Sequence, residues 1–262
     1  YRIRFKDDSK KQYWFNGRWV DSKIHIDTIK VRGAADIYDT VAYTVFGPVM
    51  YDNSFPDTLA PGQAIACRWI AHNPSNEGLA LHNLNRATNY NEYSAAIKLF
   101  ECPAQNFVFA SKTGDIAIWQ QGNFPLRWYG QGMMVMPGED SSYMWQGYIP
   151  QNHNPNSLNP AQGYLVSANQ RPVDSTYPYF IPGNYINARA IALNNFLRNM
   201  TAITPDDMKK LQNNNFNVTA EDARPLLLEY VQEDKLSGQA KEVLKIFKEW
   251  NLMADANSTG QT

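Results

Sequence analysis

Through much of the first half of the chain, apolar and polar residues alternate, and a period of two predicts strands. YRIRF at the start alternates. KIHIDTIKV (23–31) does too, with Ile24, Ile26 and Ile29 among polar neighbours and Thr28 breaking strict alternation. QYWF and RWV flank Asn16-Gly17. That pair suits a two-residue type I′ hairpin turn, in which both central residues take positive φ. DTVAYTVFGPVMY (39–51) reads as a strand interrupted at Gly47-Pro48, and AIACRWIA (64–71) as a short apolar strand. NFVFAS and DIAIWQQ flank a Lys-Thr-Gly-Asp turn and predict a second hairpin.

Helical periodicity appears first after Asn89. Glu92 lies three residues on, as in a capping box, and Tyr93, Ala96, Ile97 and Phe100 then share one face. Residues 122–163 are rich in Gly, Pro and Asn and read as a long loop, of the kind that tends to carry function. YLVSAN (164–169) reads as a strand whose continuation Pro172 forbids. From there the pattern is helical. A helix is predicted from about Tyr185 to Phe196, with Ile191 and Phe196 facing the core. Thr204-Pro205-Asp206-Asp207 places a cap, a first-turn Pro and two acids at the start of the next. Thr219 and Asp222 open another, broken or kinked near Pro225, and Val243, Leu244, Phe247 and Trp250 stripe the last. NSTGQT at the end reads as a polar tail. No repeat and no Gly/Ser linker divides the 262 residues. The fold class is α+β, with a β-rich part at 1–198 and a helical segment at 199–262.

Composition narrows the choice of partner. Net charge is -1, which disfavours nucleic acid or an anionic membrane as partner. No apolar run reaches the roughly 18 residues of a membrane span. Aromatic residues make up 13% of the chain, which suits apolar ligands and large β-rich domains equally. Cys67 and Cys102 lack metal-ligand spacing and read either as buried free thiols or as one disulfide. His25, His72, His82 and His153 are scattered, with no helical pairing that would build a metal site.

No self-contained catalytic motif is present: no Gly-x-Ser-x-Gly, phosphate-binding loop or His-Glu-x-x-His. Asp206 and Asp207 are explained by the dipole of the helix they open. Asn169 is the sharper candidate, because a side-chain amide carries two N–H donors that can stabilise an oxyanion. The competing reading is an Asn that satisfies a turn ahead of Pro172. Arg189, at a helix start, has an equally ordinary reading as half of a surface ion pair.

The order of segments carries more information than any one of them. YWFNGRWV, TVFGPVM, AIACRWIA, NRATNYNEYSAAI, GDIAIWQQGNFPLR, MWQGYIP, NPAQGYLVSANQRP and NARAI occur in sequence between residues 10 and 195. In this order they resemble the large β subunit of the penicillin acylase family of N-terminal-nucleophile hydrolases. The resemblance implies an αββα sandwich, two packed antiparallel sheets flanked by helices, with a helical C-terminal part. It implies an amidohydrolase acting on penicillin-type or N-acyl-homoserine-lactone-type amides. Its nucleophile would be an N-terminal Ser freed by self-cleavage, with the Ser's own α-amine as base. By motif match, Asn169 in SANQRP would donate to the oxyanion and Arg189 in NARAI would organise the site. The nucleophile would lie upstream of Tyr1, so the chain reads as an internal piece, inactive alone, whose partners are the acyl amide substrate and the other α and β segments of a precursor. Many family members hold calcium. Two of the acidic ligands would precede Tyr1 and the third would fall near Pro182, so no cofactor is expected from these residues. A periplasmic or extracellular location follows from the family. A non-catalytic binding module and a paralogue without its nucleophile are the alternatives.

Overall fold

The computed structural model describes residues 1–55, 59–258 and 260. The last residues of the predicted polar tail, 259, 261 and 262, lie outside that set. The chain forms two compact units, each discontinuous in sequence. One comprises 1–157 and 175–183, the other 158–174 and 184–262.

The first unit is built on antiparallel pairing. Strands β1 (Arg2–Arg4), β4 (Lys23–Ile29), β5 (Ile37–Thr44), β6 (Gly47–Tyr51) and β7 (Gln63–Ala66) form a five-stranded sheet in the order β1-β7-β6-β5-β4. β2 (Gln12–Phe15) and β3 (Arg18–Asp21) form a separate hairpin. Its turn has Asn16 at φ 49 and Gly17 at φ 76, the double positive φ that the Asn-Gly pair predicts. β8 (Gln105–Ala110) and β9 (Ile116–Gln121) form the second predicted hairpin, extended by β10 (Asn156–Leu158).

Two apolar clusters hold this unit together. Ile3, Phe5, Tyr13 and Phe46 pack with Ala42, Ala64 and Ala66, and Tyr1 stacks on Phe46 at 4.2 Å. Full burial of a side chain such as Ile3 or Phe46 contributes about 2 kcal/mol. Gly47, next to Phe46, has φ 89, and a Cβ there would stand 2.2 Å from the Cys67 carbonyl oxygen. The second cluster joins helix α2 (Tyr90–Ile97) to β9, with Tyr93 and Ile97 against Ala117 and Trp119. The Tyr93 hydroxyl donates to the Phe107 carbonyl at 2.8 Å, and burial pushes its pKa up.

Helix capping departs in detail from the sequence pattern. The Asn89 side chain accepts from the Glu92 N–H at 3.0 Å, but the Glu92 carboxylate turns to the Thr88 N–H and hydroxyl. The box is therefore offset by one residue. α1 (Glu77–Leu84) carries no strong period and is a helix the sequence does not announce. It is anchored by Glu77, whose carboxylate accepts from the Ser75 hydroxyl and from the N–H groups of Glu101 and Cys102. The strand read over 64–71 ends at Ala66, and a 3₁₀ turn at Ile70–His72 replaces the rest. Cys67 and Cys102 are unpaired. Cys67 is exposed instead of packed, because it lies beyond the end of β7.

The second unit carries α3 (Ala188–Arg198), α4 (Pro205–Gln212), α5 (Val218–Tyr230) and α6 (Gly238–Glu249). Thr204 and Asp207 form the reciprocal cap of α4. α5 is capped by Asn217, which accepts from the Ala220 N–H at 2.9 Å, and Pro225 lies within the helix without ending it. After α6 the chain returns to the α4–α5 connection. Asn217 N–H donates to the Leu252 carbonyl at 2.8 Å, and Arg224 to the Trp250 carbonyl at 2.6 Å. Leu244 and Trp250 are buried in this arrangement, while Val243 of the same stripe is exposed. In α3 the buried side is Ala190 and Leu197, and Ile191 faces outward.

The expected strand over 164–169 does not form. Two of its backbone groups are taken locally: Gln170 accepts from the Ala168 N–H and donates to the Val166 carbonyl, both at 2.7 Å. Groups so occupied cannot enter a ladder, and the segment ends in a turn instead.

Candidate functional site

That turn places Asn169. Its backbone lies in the left-handed region at φ 60, a conformation that Asn tolerates better than most residues. The Gln170 clamp on Val166 and Ala168 holds the backbone immediately before it. Asn169 is exposed, while Ala168 beside it is buried and fastens the turn to the unit.

Arg189 reaches the same point from α3. The helix starts at Ala188, so Arg189 is its second residue, and the preceding Asn187 makes no side-chain cap. The Arg189 Nη2 donates to Asn169 Oδ1 at 2.5 Å. Guanidinium nitrogens only donate, so the atom they meet must be the amide oxygen. The amide nitrogen of Asn169 then faces away from Arg189 with both its hydrogens available. The two residues that the sequence singles out, twenty positions apart, are therefore in direct contact, and the contact orients the amide.

A cavity of about 590 Å³ opens against Arg189. Ser167 and Ala168 contribute to its wall, and Leu193, Phe196 and Phe216 give it an apolar floor. The Phe196 and Phe216 rings meet edge to face at 6.1 Å. This volume falls in the range of small-molecule sites. Just before α3, Tyr185 is partly buried. Burial raises its phenol pKa, and the positive charge of Arg171 offsets part of that rise.

The sequence pattern does not disclose the Gln170 clamp or the cavity. Gln170 adjoins Asn169 in SANQRP, but nothing in period or charge separates a clamping amide from a solvated one. Pro182, where the resemblance would put a calcium ligand, has Ile181 and Gly183 beside it, and none of the three carries a carboxylate. Among the described residues no three or more His, Cys, Asp or Glu side chains group so as to hold a metal ion.

Known proteins extend this picture. The acyl-homoserine lactone acylase QuiP of Pseudomonas syringae pv. tomato is 29% identical over 172 residues, which is 66% of this chain and 20% of the relative. QuiP of a Pseudomonas fluorescens strain is 31% identical over 165 residues, 63% of this chain and 20% of the relative. Penicillin G acylase of Escherichia coli is 26% identical over 177 residues, 67% and 20% respectively. The matched segment thus spans about a fifth of the length of these curated relatives. Among solved structures, a thermostable penicillin G acylase from Alcaligenes faecalis superposes with a TM-score of 0.74 at 24% identity, covering 97% of this chain and 45% of that one. The fold is therefore the N-terminal-nucleophile hydrolase fold of that enzyme. The family model for penicillin amidase matches residues 1–262, the whole chain, and the chain belongs to the penicillin amidase family.

Proposed function

We propose that this chain forms part of an amide-hydrolysing acylase, and that Asn169 is its oxyanion donor with Arg189 as the residue that positions it. The observation that carries this is the 2.5 Å bond from Arg189 to the Asn169 amide oxygen. By occupying the oxygen, Arg189 commits both amide hydrogens to a negative charge developing elsewhere. A donor fixed before the reaction needs no reorganisation when the charge appears, and this is where such groups gain their effect.

The substrate is a carboxylic acid amide of the penicillin or N-acyl-homoserine-lactone type. A Ser upstream of Tyr1, at the start of the mature β subunit, attacks the carbonyl carbon. Its own α-amine takes the hydroxyl proton and passes it to the leaving amine. Water then releases the acid by the same route. Asn169 donates to the carbonyl oxygen in both tetrahedral intermediates. The apolar floor beside Arg189 offers room for an apolar part of the substrate. The remaining α and β segments of the precursor complete the site, and the protein works in the periplasm or outside the cell.

The test uses the full-length parent. Asn169→Ala should reduce kcat by about 10²–10³, the usual loss for one oxyanion donor, with KM little changed. Normal turnover by that variant would refute the assignment. Sequencing the mature β subunit should give Ser, or Thr or Cys, at its first position. Any other residue would establish the nucleophile-less alternative. The 262-residue chain alone should hydrolyse none of these amides.

A further inference from the structure

Arg189 holds the far end of the Asn169 side chain, and a second constraint acts at the near end. The amide leaves the backbone along the Cα–Cβ bond, and the direction of that bond follows the backbone torsions of Asn169. Its φ is 60, in the left-handed region, where a residue with a side chain stays only if its surroundings hold it. The bond from Arg189 to Asn169 Oδ1 fixes how the amide is turned. It does not fix the direction in which the side chain departs.

Gln170 supplies that second constraint. Its Oε1 accepts from the Ala168 N–H and its Nε2 donates to the Val166 carbonyl, both at 2.7 Å. The first bond joins the side chain of residue 170 to the backbone of residue 168. The ring it closes runs through the Asn169 backbone from its N to its carbonyl carbon. Both soft torsions of Asn169 are therefore torsions of a closed ring and cannot change independently. The second bond ties the same amide back to Val166, so the ring is itself braced. Ala168, inside the ring, is buried.

Residue type matters at this position. The clamp needs an acceptor and a donor on one planar group, on a side chain that can meet the backbone two and four residues back. A carboxylate of the same length has only acceptors and would set oxygen against the Val166 carbonyl. A Leu of similar size makes neither bond. Both contacts also agree on a single orientation of the Gln170 amide.

On the oxyanion role proposed for Asn169, we propose that Gln170 is a positioning residue for amide hydrolysis: it sets where the donor amide points, while Arg189 sets how that amide is turned. A misplacement of about 1 Å can cost about 10²-fold in rate, so a residue that acts only through its neighbour can govern turnover.

The full-length parent tests this with benzylpenicillin or N-hexanoyl homoserine lactone, whichever the wild type cleaves faster. Gln170→Leu should lower kcat by about tenfold or more with KM little changed, the split expected when a transition-state donor is misplaced. Added to Asn169→Ala, the same substitution should cost less than about twofold further, because nothing is left to position. Equal losses in the two backgrounds would show a general weakening of the fold and would overturn the proposal, as would wild-type kcat in Gln170→Leu. If Gln170→Leu does not fold, Gln170→Glu takes its place. Its kcat relative to wild type should be low at about pH 8 and rise toward about pH 5, as the carboxyl takes up a proton and becomes a donor to Val166. A ratio that does not change with pH would overturn the proposal. Asn169→Ala alone keeps the two levels apart. Wild-type kcat there removes the oxyanion reading and this inference with it. A loss there beside an unimpaired Gln170→Leu removes this inference only.

Discussion

Asn16 and Asn169 occupy almost the same left-handed backbone, at φ 49 and φ 60, in regions of opposite character. Asn16 closes the β2–β3 hairpin, where Phe15 pairs with Arg18 and Trp14 with Trp19. Its conformation is fully accounted for by the turn it makes, and its amide oxygen accepts a bond from the Ser141 N–H at 2.9 Å. Asn169 closes no hairpin. Its turn joins no ladder, its backbone is held by Gln170, and its amide oxygen is held by an arginine from a helix. At Asn16 the backbone requires the residue type and the side chain adds a brace. At Asn169 no ladder accounts for the backbone, and the side chain meets Arg189. The same residue in the same φ well is explained by strand pairing at Asn16 and not at Asn169, and the proposed oxyanion role is the reading that would explain the second.

Glycine substitution separates the two cases, because glycine keeps the left-handed backbone and removes the amide. Asn169→Gly in the full parent should fold as the wild type does and lose about 10²–10³ in kcat. A variant that keeps its kcat would make Asn169 no different from Asn16. The next largest effect concerns stability alone. Gly47→Ala would strain φ 89 and press a methyl against the Cys67 carbonyl, so unfolding in urea should show a loss of about 2–3 kcal/mol.

A smaller effect tests the anchor of α1. Hydrogen bonds from Ser75 and from the Cys102 and Glu101 N–H groups lower the Glu77 pKa from 4.5 to about 2. Because the folded-state pKa is depressed, the stabilisation is complete above pH 4.5 and disappears as pH falls through 2. Glu77→Gln should therefore cost about 1–2 kcal/mol at pH 7, and urea midpoints of variant and wild type should converge in acid. A constant difference between them at every pH would show that packing, not charge, anchors the helix. The smallest effect is expected at the hairpin: Asn16→Gly should shift the unfolding free energy by less than about 1 kcal/mol.

The features that were legible in the sequence are those whose causes lie a few residues apart. The Asn16-Gly17 turn, the hairpin around Gly114 and the Thr204–Asp207 cap each depend on neighbours along the chain, and each forms as its pattern predicts. The strand expected at 164–169 fails because alternation cannot show that Gln170 will take the backbone groups a ladder needs. α1 was hidden because its anchor, Glu77, binds N–H groups more than twenty residues away. Asn169 and Arg189 were legible only through the resemblance of their motifs to a family. Composition and spacing alone left each with an ordinary surface role, and the contact between them depends on how α3 approaches the turn.

The position of Arg189 within α3 has a consequence for how the protein tolerates change. It is the second residue of a helix with no acid in its first turn and no side-chain cap, so its charge lies at the positive end of the helix dipole. A cation there opposes its own helix by about 0.3–1 kcal/mol. An acidic replacement would relieve that opposition to the dipole, at the loss of the bond to Asn169. On the proposed function, a screen for thermal robustness would favour loss of Arg189 where a screen for turnover would retain it. Under that proposal, selection for a sturdier molecule and selection for a working one pull in opposite directions at this position.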